Sequence, residues 1–190
     1  MENRQNNSTE QKREWSYPHL DRSVATLTLE VQMKEAAFDA VRAVARSEGL
    51  SQKPQCHITI LGTAIGEAIK EKLRTKSPDE HEVVFDRIET LSRETDWSFS
   101  PKAEYYTVSK TYPESETGES DERKSIIQLV NMSGAASFYT KLNELLGTSF
   151  DAPFPHITLF TTSTREDKKL RGIGIISEED FRTLSPKRIE

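Results

Sequence analysis

The chain of 190 residues has a single cysteine, Cys56, so it can form no intrachain disulfide and no cysteine-built zinc site. A reducing compartment suits that composition best. It also has little positive charge to spare, with 26 Lys and Arg against 31 Asp and Glu and a formal net charge of −5. That balance argues against broad binding along a nucleic-acid backbone, which needs many phosphates neutralised by a basic surface. A few basic side chains around a cleft can still act against the global sign, so a small anionic ligand or the end of an oligonucleotide stays open. Long apolar runs are missing as well: the opening MENRQNNSTEQKRE is polar where a secretion signal would be apolar, and no stretch reaches membrane-spanning length. The expectation is a cytoplasmic, soluble protein with no membrane association, no protein partner implied, and a monomeric state.

This length allows one sizeable core and is short for two ordinary domains. The expected layout is a tail over residues 1–18, poor in periodic apolar residues, one bilobal domain over 19–176, and a C-terminal extension over 177–190.

Four histidines are present, and two of them fall in a repeated motif. QCHITIL, residues 55–61, carries His57 and Thr59; PFPHITLF, residues 153–160, carries His156 and Thr158 with the same isoleucine between. The surroundings repeat too. SVATLTLEV, 23–31, alternates as a half-buried strand, and the next segment shifts to a helical period, with Met33, Ala37, Ala40, Val41 and Val44 on one face and Gly49 as a stop. About a hundred residues later SIIQLVN, 125–131, reads as a strand. Ser133 then opens a helix bearing Ala135, Phe138, Tyr139, Leu142, Leu145 and Leu146, and Gly147 closes it. Each half thus reads strand, helix ending at glycine, loop with proline, His-Ile-Thr strand.

Between the halves the pattern suggests a helix near 64–74, a strand over 82–88 and another over 104–110. The acidic stretch TYPESETGESDERK, 111–124, is expected to be an exposed hairpin loop, and GIGII, 172–176, an edge strand. His19 and His81 sit in polar surroundings that suggest solvated loops.

Alternation along a strand puts His57, Thr59 and Leu61 on one face, with His156, Thr158 and Phe160 on the corresponding face of the second strand. Cys56 points the opposite way from His57, which makes it a buried structural thiol rather than a nucleophile. Packed with approximate two-fold symmetry, the pairs would meet as two imidazoles and two hydroxyls around one volume. In-line displacement at phosphorus needs that arrangement: the attacking and leaving oxygens lie on opposite sides, so one proton is removed on one side and one delivered on the other. Histidine titrates near neutral pH and does either job. Thr59 and Thr158 can donate to the non-bridging oxygens as charge builds on them, and the scheme calls for no metal and no cofactor.

Paired H-x-[ST]-hydrophobic motifs, each closing a strand–helix–strand unit, resemble the 2H phosphoesterase superfamily, which includes RNA 2′,3′-cyclic phosphodiesterases and 2′,5′ RNA ligase-like proteins. The resemblance runs over about residues 23–162. It implies an α+β, bilobal fold with two pseudo-symmetric antiparallel-sheet lobes around a central cleft, His57 and His156 as catalytic pair, and Thr59 and Thr158 as phosphate binders. It also implies RNA-processing or nucleotide-hydrolase chemistry on a cyclic phosphate or a short oligonucleotide. The alternative is a nucleotide or RNA-end binding module with the same cleft and no turnover. Tyr105 and Tyr106 are candidates for stacking on a base, since one of two adjacent strand residues faces each side. Arg123 and Lys124 are candidates for holding a phosphate, weighed against ordinary surface salt pairing.

Overall fold

The computed structural model describes residues 17–113 and 120–190. The expected N-terminal tail and the tip of the acidic loop, 114–119, therefore fall largely or wholly outside the described residues. The alternating apolar set Ala25, Leu27, Leu29 and Val31 is buried; Leu27, Leu29 and Val31 belong to β2 (Thr26–Val31), which pairs with a short β1 (His19–Asp21), and Ala25 lies in the turn just before β2. α1 (Glu35–Ser47) follows and buries Phe38, Val41 and Ala45. That face is rotated from the expected one because Phe38, the bulkiest apolar side chain of the helix, goes inward to meet Phe160 edge-on at 5.9 Å.

β3 (Ser51–Gln52) and β4 (Cys56–Leu61) come next, then α2 (Thr63–Leu73) and α3 (Pro78–Glu94). The strand expected over 82–88 is thus the middle of a 17-residue helix. Its Val83-Val84-Phe85 run reads as a strand in isolation, but the start signal overrides it. Ser77 and Glu80 form a reciprocal capping box and Pro78 occupies the first turn. Phe85, Ile88 and Ser92 then fall on one buried helical face.

β5 (Phe99–Tyr112) and β6 (Asp121–Met132) form the long hairpin, so both ends of the expected 111–124 loop, 111–112 and 121–124, lie in its two strands. α4 (Gly134–Leu146) and β7 (His156–Ser163) complete the second strand–helix–strand unit. Both α1 and α4 are followed by a glycine in the left-handed region, Gly49 at φ 66° and Gly147 at φ 61°, where a side chain would be strained. After a 3-10 turn at Glu166–Lys168, α5 (Glu178–Thr183) and β8 (Lys187–Ile189) end the chain. The extension over 177–190 therefore contributes both a helix and a strand to the fold.

The fold is α+β: five α-helices and an eight-stranded antiparallel sheet among the described residues. The strand order is β1-β2-β4-β7-β6-β5-β8, with β3 beside β7. Outward from the centre the order is β4, β2, β1 on one side and β7, β6, β5 on the other, so the halves mirror each other within one continuous sheet. The principal core lies on the face covered by α1 to α4. On the other face Val108, Ile127 and Leu129 are covered by Ile173, Ile175 and Phe181. Residues 172–176 form no strand. Ile173 and Ile175 insert into that second cluster, and the edge position beside β5 is taken by β8. Among the described residues no helix is long and apolar enough to cross a membrane.

Candidate functional site

The two motif strands are neighbours. β4 and β7 run antiparallel with Ile58 paired to Ile157. Extending the pairing one residue to each side sets His57 opposite Thr158 and Thr59 opposite His156. All four side chains share the face away from α1 to α4, while Cys56, Ile58 and Ile157 enter the principal core. The two histidines are then diagonal neighbours on the two strands, about 7–8 Å apart along the backbone and somewhat closer at their Cβ atoms. Each histidine thus has a threonine directly across the strand pair.

Each strand carries an irregularity just past its threonine. Against β2, Thr59 and Leu61 pair with the consecutive residues Thr28 and Leu27, leaving Ile60 extra. Against β6, Thr158 and Phe160 pair with Ile127 and Ile126, leaving Leu159 extra. These two bulges reverse the alternation, so Leu61 and Phe160 join the principal core instead of following the threonines as expected. The repeat therefore extends from the letters to the backbone irregularity that ends each polar pair.

Both rings are half-buried. Burial holds the His57 imidazolium below its usual range; Lys53 adds to that effect and Glu30 opposes it. Burial likewise lowers His156, helped by the charge of His57 and opposed by the carbonyl of Phe154. That carbonyl is 2.9 Å from His156 Nδ1 and can only accept, so the ring donates Nδ1–H to it. In the neutral ring Nε2 is consequently the unprotonated nitrogen.

Lys53 and Phe154 were missed by sequence reasoning. Lys53 Nζ donates to the Leu170 carbonyl at 2.8 Å, and burial lowers its affinity for a proton. No linear pattern marks it, since its neighbours come from the β3–β4 turn and a segment more than a hundred residues away. Phe154 had a visible signal in its place two residues before His156, between two prolines.

The tyrosines separate. Tyr106 lies on the histidine face, meeting Phe181 edge-on at 5.3 Å, with Phe181 stacked on Phe154 at 4.8 Å. It is paired with Ile127, which is paired with Thr158, and so stands two strands, or about 10 Å, from that threonine. Tyr105 packs on the helix side, where its hydroxyl accepts from Gln128 at 3.2 Å. Arg123 is buried against Asp121, and Lys124 pairs with Glu48. His19 is an exposed residue of β1, and His81 lies in α3 with its ring donating to the Leu73 carbonyl at 2.6 Å, so neither occupies a loop. Cys56 is buried, as expected of a structural thiol. Among the described residues no group of three or more His, Cys, Asp or Glu side chains is placed to hold a metal ion.

A pocket of about 390 Å³ between the β1–β2 turn, α2 and α3 shares no residue with this site. Its charged lining is already paired: Arg22 with Glu82, Asp86 and Glu89, and Lys70 with the Ser23 carbonyl.

No family model, curated protein or solved structure matches this chain.

Proposed function

We propose that this chain is a metal-independent phosphodiesterase of the 2H type, acting on a nucleotide 2′,3′-cyclic phosphate or a short 2′,5′- or 3′,5′-linked oligonucleotide. The observation that carries the reading is the antiparallel pairing of the two His-x-Thr motifs through Ile58 and Ile157. In this reading the halves built on β4 and β7 correspond to the two lobes of the 2H phosphoesterase fold. One histidine takes the proton of water or a ribose hydroxyl as it attacks phosphorus, and the other gives a proton to the departing oxygen. Thr59 and Thr158 donate to the non-bridging oxygens, where negative charge grows in the transition state.

The test is hydrolysis, in the presence of chelator, of the four nucleoside 2′,3′-cyclic monophosphates, 2′,5′-linked oligoadenylate and a set of cyclic dinucleotides. The His57→Ala/His156→Ala protein serves as control. Chelator-resistant turnover that disappears in the double variant is the expected result. Binding of these nucleotides by folded protein without turnover would instead identify a binding module.

A further inference from the structure

The halves of the site share a backbone and differ in what surrounds it. Across the ladder from His57 stands Glu30, and across from His156 stands Leu129. Four residues before His57 is Lys53, whereas the position four before His156 is Ala152. The His57 ring is therefore within electrostatic reach of both the Lys53 ammonium group and the Glu30 carboxylate. On the His156 side the neighbours are mainly apolar and aromatic: Leu129 in the second cluster, Phe154 stacked on Phe181, and Tyr106 edge-on to Phe181 with its hydroxyl donating to Glu104. Phe154 and Tyr106 are half-buried rather than sealed in the core.

From this asymmetry we infer that the substrate binds in one direction, with its nucleoside on the Phe154 side, so that His156 is the general acid for the ribose oxygen and His57 the general base for water. The inference rests on the phosphodiesterase reading and adds to it which end of the substrate goes where. A base and ribose present apolar faces that match the aromatic wall. The ribose oxygen bonded to phosphorus then lies nearest His156, and in-line attack brings water from the opposite flank, which is polar and carries Lys53 and Glu30. In the step itself, His57 removes a proton from water as the water oxygen bonds to phosphorus. The bond from phosphorus to the ribose oxygen breaks, and His156 Nε2 protonates that oxygen. One water is added across one P–O bond, and proton exchange with solvent restores both rings. The hydrogen bond from His156 Nδ1–H to the Phe154 carbonyl holds the ring so that Nε2 is the nitrogen that exchanges the proton.

The experiment uses a nucleoside 2′,3′-cyclic phosphate and its analogues with sulfur replacing either bridging ribose oxygen, because a thiolate departs without needing a proton. His156→Ala should lose about 10²–10⁴-fold on the oxygen ester and return to within roughly tenfold of wild type on a sulfur ester; His57→Ala should lose about 10²–10⁴-fold on both. His156→Asn, which keeps a donor for the Phe154 carbonyl, should show the same rescue and guards against a folding defect in the alanine variant. Rescue of His57→Ala instead, or equal losses on both esters for both variants, would overturn the assigned direction while leaving the phosphodiesterase reading intact. Absence of wild-type turnover on the oxygen ester would overturn that reading, and the assigned direction with it.

Discussion

Ile58 and Ile157 face each other at the join of β4 and β7, exposed by 1% and 0%. The pair fixes the register that brings His57 beside Thr158 and Thr59 beside His156, so its packing supports both stability and site geometry. Ile157→Ala should cost about 2–5 kcal/mol, and Ile157→Val about 0.5–1.5 kcal/mol, in urea unfolding. The valine variant should keep most of the wild-type turnover, since it preserves the β-branched shape that holds the strand in place.

The threonines offer a cleaner test of transition-state binding. Thr59→Val and Thr158→Val preserve shape and remove one hydroxyl donor each, so each should lower kcat by about 10²–10³-fold with little change in melting temperature. Thr→Ser at either position should restore most of the rate. The same logic reaches Gly172, where a Cβ would stand 3.2 Å from Thr158 Oγ1, whereas a Cβ at Gly174 would meet nothing within 4 Å. Gly172→Ala should therefore reduce turnover and Gly174→Ala should leave it unchanged.

The pH profile follows from the two imidazoles. Both are held below the ordinary histidine value of about 6.5. A pair that needs one ring neutral and one protonated should give a bell in kcat/KM with its optimum below about pH 6.5. With His57 as base, the acidic limb reports His57. Lys53→Met removes a nearby cation and should move that limb to higher pH; Glu30→Gln removes a nearby anion and should move it lower. A limb indifferent to both substitutions would exclude His57 as the base. The same shifts bear on stability, because the unfolded chain takes up these protons first. The contribution is complete above the unfolded histidine value and is lost as pH falls from there through the folded values, and urea midpoints across this range should show it.

The motif spacing and the order strand, helix, strand in each half were legible because they depend on local period and on glycine stops after α1 and α4. The long helix α3 was obscured by Val83, Val84 and Phe85, whose β-branched and aromatic character outweighed the Ser77–Glu80 cap when the segment was read alone. GIGII alternates like a strand, yet Ile173 and Ile175 bury into a sheet face instead of pairing at an edge. Face assignments beyond Thr59 and Thr158 failed because a bulge changes parity without any mark in the letters. Lys53 and Glu30 lay outside sequence reasoning for a related reason, since what places them beside His57 is strand register and turn geometry.

The last prediction concerns the segment that runs past Thr158. Arg123 donates to Asp121 Oδ2 from Nε at 2.8 Å and Nη2 at 2.5 Å, donates to the Gly172 carbonyl from Nη1 at 3.2 Å, and lies 4.2 Å from the centre of the Tyr112 ring. Both members of the ion pair are buried, and the Ser163 hydroxyl also donates to Asp121. Arg123→Met leaves the Asp121 carboxylate buried without its main partner, and breaking such a pair costs about 3–5 kcal/mol. Asp121→Asn/Arg123→Met removes both charges and should recover part of that loss. Turnover should not recover with it, because the Gly172 carbonyl has still lost its anchor and the backbone against Thr158 is free to shift. The Arg123 hydrogen bonds also hold the Asp121 carboxyl below the usual aspartate value, against the effect of burial. Wild-type stability from this group is therefore present above the unfolded aspartate value and lost as pH falls through the folded one. Unfolding curves at neutral and acidic pH, paired with kcat for the single and double variants, would separate the electrostatic role of Arg123 from its role in positioning Gly172. A double variant that regained stability and turnover together would show that Gly172 needs no anchor.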